Sequence, residues 1–577
     1  MFRVTTTSIF LIIFSSQVQA WKSVGSSPGF GTCSYSTIQD AIDSGDSEIR
    51  VLNNQTFTEN LTITDSIDIK GGFSSCLSAQ LNTQSGGNTE IDGSASLGSA
   101  TITIDSTSEP TIRFYNLNIT GAADTIFVNG GHGIEIGDSN GIIEIHNSLI
   151  IGNTAEEGGG IYSANPPGSL TVIIEDSSVF GNSVSNRGGG VFCGNANTNV
   201  LIYGNSLVGE NSAVDGGGIY ATNGCYVEIN SGSDLQPGSD LKGIIGNTAS
   251  GNGAGIYLDL AAYLSLFGNT YGGGQYGNNT EPVTIADNIS SNNGGGIYAI
   301  NSSTIDGSDV YITNNVSSSG KGGAIYMGNS TTTPVTASIS DSESQCWNPG
   351  KCSIISNNHA SSNGGAIYME GSSELTLRNT HVSGNRATFG TALYVSSING
   401  SGTSAHLDGN YFYDNGNDGS GFGDSFVIRG NGNVDITILH NTIAGNDADD
   451  SRAIIGIIGS NLILKNSIIS NGTETVLEQN GTNTLNFSCL IVNENISIPS
   501  ATSSNDIGFV NSANDDYHLN SDSFAIDFCA SAASNNKDAD VEYRGWDDET
   551  VPDFLGTYDA GADESYINDI IFKNSFE

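Results

Sequence analysis

The stretch "IIGNTAEEGGGIYSAN", Ile150 to Asn165, contains a pattern that recurs along the chain. An apolar residue stands three positions before Asn153, and a glycine run then leads to the pair Ile161-Tyr162. The pair returns at intervals of 26 to 30 residues, or 37 to 42 where a loop is inserted. Periods of this length are typical of solenoids, in which each repeat is one coil. The repeated asparagines are Asn153, Asn182, Asn211, Asn247, Asn288, Asn315, Asn358 and Asn385.

Between these corners, apolar residues come in short, often alternating runs rich in Ile, Val and Thr, as in "LTVIIEDSSVFGN" (170–182) and "ELTLRNTHVSGN" (374–385). Such short strands cannot bury a face alone, but stacked coils can share one core. Asparagines at the same place in successive coils can form a hydrogen-bonded ladder, and glycine at the other corner allows a positive φ. The pattern therefore predicts an all-β fold, a single-stranded parallel β-helix.

The segment "GGAIY" stands at Gly322–Tyr326 and again at Gly364–Tyr368. With the asparagine before it, this segment resembles the polymorphic outer membrane protein repeat, although Ile or Val usually replaces the Phe of that repeat. The resemblance covers about residues 129–472 and implies a right-handed parallel β-helix at a bacterial surface. The remaining chain is short and polar, so we expect a passenger-like rod without the membrane barrel that autotransporters of this family carry.

The N-terminal residues differ from the repeats. "MFRVTTTSIFLIIFSSQVQA" (1–20) has a basic residue, an apolar run and a small-residue cleavage pattern, which indicates a secretory signal peptide. Ser36-x-x-Gln39 matches a capping box, and Ile38, Ala41 and Ile42 share one face of a predicted short helix. We expect this helix to cover the open end of the apolar core.

The C-terminal residues also leave the repeat. "YDAGADE" (558–564) resembles the closing phrase of such β-helix proteins, and "IFKNSFE" (571–577) resembles a sorting signal, although a last strand or a disordered end fits as well. The predicted organisation is a signal peptide at 1–20, a cap and first coils at 21–100, β-helix repeats at 101–510, a C-terminal cap at 511–566 and a tail at 567–577.

The composition limits the classes of function. The chain has 577 residues, 17 Lys and Arg against 61 Asp and Glu, and a formal net charge of -44. This charge repels nucleic acid and attracts divalent cations or basic partners, so we exclude nucleic-acid binding. No stretch after the signal peptide has the length of a transmembrane helix. The predicted location is secreted or at the bacterial outer surface.

Export makes the eight cysteines candidates for disulfides. Cys346 and Cys352 bracket a turn-forming segment and are paired on that ground. Chain proximity alone suggests the other pairs, and eight cysteines allow 105 connectivities. The proposed pairs are Cys33 with Cys76, Cys193 with Cys225, Cys346 with Cys352, and Cys489 with Cys529.

One segment hints at catalysis. "GGHGIEIG" (130–137), which contains His132, resembles one motif of the polygalacturonases, which are right-handed β-helices too. Those enzymes also need paired aspartates upstream and an Arg-x-Lys downstream, and both are missing here. We interpret His132 as an early copy of the repeat corner. A pectate-lyase-like enzyme is a second alternative, but its polyanionic substrate would meet a strongly acidic protein.

Calcium is the one ion that the sequence suggests, and no other cofactor is predicted. "DNGNDGSGFGD" (414–424) and "NDADDS" (446–451) place hard oxygen ligands in glycine-rich loops. The first segment approximates an EF-hand loop without its closing Glu. The candidate ligands are Asp414, Asp418, Asp424, Asp447 and Asp449.

The aromatic residue of each repeat is the main candidate for binding. If the Ile of each pair enters the core, the next side chain points outward. Exposed stacked aromatic rings can hold sugar rings or an apolar edge of a partner, whereas rings that stack on one another under loops would serve the fold. The column is Tyr162, Phe192, Tyr220, Tyr257, Tyr298, Tyr326, Tyr368 and Tyr394.

These features favour a non-catalytic adhesin, a rod that binds an extracellular glycan or protein along its side. The alternative is a polysaccharide lyase or glycoside hydrolase on the same scaffold, and a third is a structural spacer at the cell surface. Fold alone does not decide between them, because one scaffold can carry both enzymes and adhesins. The sequence leaves the ligand and the oligomeric state open.

Overall fold

The structure of the protein is a computed structural model. It describes residues 21–26, 32–124, 130–137, 139–231, 241–268, 282–328, 333–341, 353–398, 402–416, 426–448, 453–472, 475–493, 498, 501–504, 506–531, 537–540, 543–547 and 553–565. The chain winds as a right-handed parallel β-helix, and the resemblance to repeat proteins of this fold is thereby confirmed. The predicted signal peptide and tail lie outside these residues.

Each coil contributes one strand to each of three walls. The first, the long-strand wall, pairs throughout in parallel. Its strands are Trp21–Val24, Glu48–Leu52, Ile67–Phe73, Thr111–Tyr115, Gly141–His146, Leu170–Glu175, Thr198–Tyr203, Tyr226–Asn230, Tyr263–Phe267, Thr304–Ser308, Val335–Ser340, Ser373–Arg378, Thr403–Asp408 and Val434–Leu439. Asn461–Ser470 and Thr484–Val492 run on from this wall into the next.

In most coils, the second wall, the short-strand wall, follows after a bend of one to three residues. Its strands are Thr56–Thr58, Thr89–Asp92, Leu117–Thr120, Leu149–Ile151, Ser178–Phe180, Leu207–Gly209, Gly243–Ile245, Val283–Ala286, Val310–Thr313, Ser353–Ser356, Thr380–Ser383, Tyr411–Tyr413, Thr442–Ala444 and Ala501–Ser503. A short corner ladder comes next, formed by Thr154–Glu157, Ser183–Arg187, Ser212–Ala213, Thr248–Ala249, Ile289–Ser290, Val316–Ser317 and His359–Ala360.

The third wall carries the repeated aromatic residues and is called the aromatic wall. Within the described ranges it has fourteen strands, so at about 4.8 Å per coil it is about 60 Å long. Its strands are Leu61–Ile63, Ile102–Ile104, Ile134–Ile136, Ile161–Ser163, Val191–Cys193, Ile219–Ala221, Ile256–Leu258, Ile297–Ile300, Ile325–Gly328, Ile367–Glu370, Leu393–Ser396, Ile428–Asn431, Ala453–Ile458 and Thr475–Asn480.

One apolar core fills the space between the walls. Alternation places every second side chain inside, as in Leu170–Glu175, where Leu170, Val172 and Ile174 are at most 1% exposed. Residues at the same position in successive coils stack, so that Ile161 pairs with Val191 and the cluster runs on without interruption. Each coil therefore buries its inner face against its neighbours rather than within itself.

Buried asparagines connect the coils at the corner after the short-strand wall. Each repeated Asn is fully buried and donates its Nδ2 to the Oδ1 of the next, for example Asn288 to Asn315 at 2.9 Å. The ladder continues beyond the eight sequence-identified positions through Asn415, Asn446 and Asn471. The side chains thereby satisfy backbone groups that the corner would otherwise bury without partners.

A short α-helix, Ile38–Asp43, lies at the N-terminal end of the core, with Ile38 and Ala41 buried. The predicted capping box at Ser36 and Gln39 is wrong in detail. Thr37 is the N-cap and accepts from Asp40 N at 3.2 Å, while Glu59 accepts from Ile38 N and Gln39 N. A carboxylate from the following coil therefore satisfies donors that the capping box would have satisfied. Among the described residues, the other helices are the α-helix Cys76–Gln80 and the 3-10 helices Gly93–Ala95 and Ser512–Asn514.

Three disulfides link neighbouring stretches of chain. Cys33 bonds to Cys76, Cys193 to Cys225, and Cys489 to Cys529, as predicted from proximity. Cys346 and Cys352 lie outside the described residues. The bond between Cys193 and Cys225 ties the end of an aromatic-wall strand to the next coil, within the core. The bond between Cys489 and Cys529 ties the C-terminal segment to the last coils.

The C-terminal segment, residues 506–565, folds back along the outside of the rod. Its hairpin pairs Phe509–Asn511 with Asp516–Leu519 in antiparallel fashion. Tyr517 packs against the outward-facing Tyr413 and Ala444 of the short-strand wall. Ala562 N donates to Thr442 Oγ1, and Gly561 N donates to Asn466 O. The segment therefore covers the side of the last coils.

Candidate binding surfaces

The repeated aromatic residues form one continuous stack on the outer side of the aromatic wall. Ring centroids of successive members lie 4.6–5.5 Å apart from Tyr162 to Tyr394. His132 begins the stack, 4.6 Å from the Tyr162 ring, and is 1% exposed. Its Nδ1 lies 3.1 Å from Gly158 O. The structure therefore places His132 inside the aromatic stack rather than at an open site.

The stack is not the exposed aromatic face that binding would require. Six of the eight predicted residues are 3–9% exposed, and Tyr162 and Tyr298 are partly buried. Each inner ring has an aromatic neighbour on both of its faces, and the glycine corner lies against the Cβ of the aromatic residue. A Cβ at Gly294 would lie 2.8 Å from Tyr298 Cβ, and that glycine has a φ of +64°. The expectation of a continuous exposed face is therefore wrong, because alternation decides the direction of a side chain but not its depth.

The hydroxyl ends of the stack bond to charged groups. Tyr368 Oη donates to Glu370 Oε2 at 2.6 Å, Tyr326 Oη donates to Oε1, and Lys321 Nζ lies 3.1 Å from Oε2. Burial opposes the charge of Glu370, but these three donors outweigh it and lower its pKa. Burial first, and then Glu370, raise the pKa of Tyr326 and of Tyr368. The polar groups at this end of the stack therefore bond to one another, and we interpret the network as stabilising the fold.

A second aromatic group, the tyrosine–carboxylate patch, lies on the outward face of the long-strand wall and consists of Tyr203, Tyr226, Glu228, Tyr263 and Asp306. Tyr226 and Tyr263 pair in register, and their rings stack with centroids 5.5 Å apart. Four of the five residues are only partly buried, and Tyr203 is 9% exposed. In the sequence, Tyr226, Glu228 and Tyr263 stand in "YVEIN" and "YLSLF", but these segments do not recur in the other coils, so periodicity does not reveal the patch.

Hydrogen bonds fix the orientation of the patch. Glu228 accepts from Tyr226 Oη at 2.7 Å and from Tyr203 Oη at 2.9 Å, and Tyr263 Oη donates to Asp306 Oδ2 at 3.2 Å. Burial first, and then the hydrogen bond to Glu228 and its charge, raise the pKa of Tyr226 to about 12, although a hydrogen bond with Ser265 lowers it in part. Burial and then Asp306 also raise the pKa of Tyr263, so both phenols are neutral donors at physiological pH. Rings with adjacent carboxylates can stack on a sugar and accept from its hydroxyls.

Within the patch, Tyr226 and Tyr263 are each other's one aromatic neighbour in their column. The residue paired with Tyr226 on the other side is Asn199, and the residue paired with Tyr263 is Thr304. Both are short side chains at partly buried positions. The column therefore changes from aromatic to small polar at both ends of the pair, in contrast with the continuous stack of the aromatic wall.

Charged groups lie on the same wall, nearer the N-terminus. His146 Nε2 lies 3.0 Å from Glu144 Oε2, and its Nδ1 lies 3.0 Å from Glu175 Oε2. Arg113 Nε donates to Glu144 Oε2 at 3.1 Å, and Tyr115 stacks on His146 at 4.8 Å. Two carboxylates on adjacent coils thus share one imidazole.

Two of the five calcium candidates are described. Asp414 contacts the carboxyl of Asp515 from the C-terminal segment, and burial together with this like-charged neighbour raises the pKa of Asp414. Asp447 forms a parallel bridge with Gly416, its backbone N donating to Asn415 O at 2.9 Å. Asp418, Asp424 and Asp449 lie outside the described residues, so calcium binding at this site stays a prediction.

Stacked coils, a buried asparagine ladder and an outer aromatic column define the class, a right-handed parallel β-helix built from sequence repeats. A family model of the Chlamydia polymorphic membrane protein repeat matches residues 282–300, 309–328 and 353–370. The three matched segments contain Asn288, Asn315 and Asn358, so the chain carries these repeats in its central coils. No curated protein matches the chain. Among the described helices, none is long and apolar enough to cross a membrane.

Proposed function

We propose that the protein is a secreted or surface-displayed adhesin, a non-catalytic rod that binds an extracellular glycan or protein along one side. The Chlamydia polymorphic membrane protein repeats support this function, because their family is named for a membrane protein. A long rod also suits a role at the cell surface. The net charge of -44 favours a neutral or basic ligand over an acidic polysaccharide. The aromatic stack stiffens the scaffold.

The single observation that carries this proposal is the tyrosine–carboxylate patch. Stacked Tyr226 and Tyr263 offer partly exposed apolar ring surface, and Glu228 and Asp306 offer acceptors two coils apart. Sugar recognition uses this combination of flat apolar surface and fixed acceptors. We infer that a neutral or amino-substituted glycan lies along the rod axis across these coils.

Glycan binding by variants of the full chain tests the patch. Tyr226→Ala and Tyr263→Ala are expected to weaken binding on a glycan array by about five- to thirtyfold each, since each loses one stacking surface worth about 1–2 kcal/mol. Tyr543→Ala is the matched control, because Tyr543 is 70% exposed and lies outside the patch. Unchanged binding by both patch variants, with the fold intact by circular dichroism, would contradict the site.

The group around His146 favours a second candidate function, a glycoside hydrolase or polysaccharide lyase. Glu144 and Glu175 could divide acid and base roles on a bound sugar, with Arg113 beside them. Glu144→Gln and Glu175→Gln would then each abolish depolymerisation while leaving glycan binding in place. Retention of depolymerising activity by both variants would contradict catalysis at this group.

A further inference from the structure

Three groups with metal-ligating side chains meet on the outer side of the short-strand wall. A nitrogen of His518 and carboxylate oxygens of Asp540 and Asp563 all lie within 4.8 Å of one another. His518 belongs to the hairpin strand Asp516–Leu519, Asp540 to the stretch 537–540, and Asp563 to "YDAGADE". The fold therefore joins three separate stretches of the C-terminal segment at one point.

The imidazole is oriented as in a metal site. His518 Nδ1 lies 2.6 Å from Asp516 Oδ1, and its Nε2 lies 3.2 Å from Asp540 Oδ2. In metalloproteins the ring nitrogen that does not bind the ion usually donates to a carboxylate, which fixes the tautomer and the ring orientation. Asp516 occupies that outer position here, Nε2 faces Asp540, and the Asp563 carboxylate lies within 4.8 Å of the group.

The two aspartates are also held in place. Asp563 is 5% exposed, and its Oδ2 accepts from Leu519 N at 2.6 Å. Asp540 N donates to Asp538 Oδ1, and Asp538 Oδ2 accepts from Glu564 N, each at 3.0 Å. The backbone around both ligands is thus fixed by the buried Asp538. Positioning of this kind is what a preformed ion site requires.

Tyr411 supplies an independent observation. It comes from the short-strand wall, is 2% exposed, and its hydroxyl has no hydrogen-bond partner among the described residues. Its ring meets the His518 ring edge-on, with centroids 5.7 Å apart. Burial and then the charges of Asp563, Asp540 and Asp538 raise the pKa of Tyr411. A buried hydroxyl without a partner is costly, and this one lies beside the carboxylate group.

We propose that His518, Asp540 and Asp563 bind one divalent transition-metal ion of the zinc or manganese class, with the Tyr411 hydroxyl beside it. One imidazole with two carboxylates suits these ions better than calcium, which takes oxygen ligands. Two ligands about 2.1 Å from a tetrahedral ion lie about 3.4 Å apart, close to the 3.2 Å between His518 Nε2 and Asp540 Oδ2. The ion would pin the C-terminal segment to the wall.

Without an ion, an imidazolium can compensate the same carboxylates. Burial opposes the charge of His518, but Asp540, Asp563 and Asp516 outweigh it and raise the pKa of His518 to about 10. The two alternatives differ in one respect: an ion pair does not bind added metal. A second acidic group, Asp527 with Asp547 and Asp553, also lies within 4.8 Å but has two exposed members and no imidazole, so it serves as a control.

The test uses the full chain, stripped with a chelator and dialysed, and titrated with Co²⁺ as the spectroscopic probe. We expect one equivalent to bind with visible d–d absorption, and Zn²⁺ to displace it. His518→Gln is expected to weaken binding at least about tenfold. His406→Gln, a partly exposed histidine 4.0 Å from Asp408, and Asp553→Asn are expected to bind as the wild type does.

Absence of saturable Co²⁺ binding by the wild-type chain would overturn the proposal, as would equal affinity in folded His518→Gln. If His518→Gln does not fold, Asp540→Asn and Tyr411→Phe replace it. Asp540→Asn should weaken Co²⁺ binding at least about tenfold, and Tyr411→Phe should change the absorption band. Wild-type behaviour of both variants would overturn the site.

Discussion

Asn182 Nδ2 donates a 3.1 Å hydrogen bond to Oδ1 of Asn211, the equivalent side chain one coil further on. The same Nδ2 donates to Ile150 O of the preceding coil at 3.0 Å. One buried amide therefore connects three coils, and its repetition runs along the rod. This arrangement explains why the asparagine is the most regular feature of the repeat.

Removal of one amide from the ladder should destabilise the protein. Asn247 accepts from Asn211 N and Nδ2, each at 3.0 Å, and Asn247→Ala leaves both donors buried without that acceptor. We expect the free energy of unfolding to fall by about 2–4 kcal/mol, measured by urea denaturation. Thr248→Ala, an exposed neighbour, should change it by less than about 0.5 kcal/mol. Equal effects would contradict the role of the ladder.

The aromatic stack should contribute mainly to stability. Tyr257 is 8% exposed and stacks between Tyr220 and Tyr298, so Tyr257→Ala should cost about 3–5 kcal/mol. Tyr257→Phe keeps the ring and should cost about 1 kcal/mol or less. Thermal unfolding of the two variants checks this. A small loss in Tyr257→Ala, accompanied by a loss of glycan binding, would show that the stack serves recognition instead.

Glu370 should make stability depend on pH on the acid side. Its pKa is lowered from 4.5, so its contribution is present above about pH 4.5 and is lost as the pH falls through the lower folded-state value. Glu370→Gln should therefore be less stable than the wild type at pH 7, with a difference that shrinks below pH 4.5. Urea midpoints across this range measure the effect. Glu374→Gln, at an exposed position, is the matched control.

The disulfide between Cys193 and Cys225 should stabilise the central coils. It closes a loop with a sequence separation of 32, which in the chain-entropy account is worth about 3–4 kcal/mol. The double variant Cys193→Ala with Cys225→Ala should lose that amount in urea denaturation. Because this bond is absent from the variant, a reductant should not lower the variant's urea midpoint by breaking it. An unchanged free energy of unfolding would contradict a stabilising role.

The fold was predictable because its determinants are local and repeated. The spacing from Asn153 to Gly160 and the pair Ile161-Tyr162 defines the corners of one coil. The same spacing in the next repeat places equivalent residues directly on this coil. Asn415 was missed because "DNGN" offers no glycine run after it. At the N-terminal helix, Thr37 rather than Ser36 is the N-cap, and Glu59 accepts hydrogen bonds from Ile38 N and Gln39 N. Local sequence does not show this contact between distant residues.

The candidate sites were less predictable because they are not periodic. Tyr226 and Tyr263 stand 37 residues apart in strands that otherwise differ, and only the register of the wall makes them neighbours. Tyr411 and His518 meet because the C-terminal segment folds back over the short-strand wall. Sequence spacing does not predict this contact. The burial of the aromatic stack depends on packing between successive rings. The alternation of side chains along a strand does not predict this packing.

Incubation of the full chain with neutral and acidic polysaccharides, with calcium present, tests the central claim of binding without catalysis most directly. Retention on the polymer and product chain length are read together over time. The account predicts saturable binding to a neutral or amino-substituted polymer whose length does not change. Shortening that survives repurification and scales with protein concentration would contradict it and would identify an enzyme.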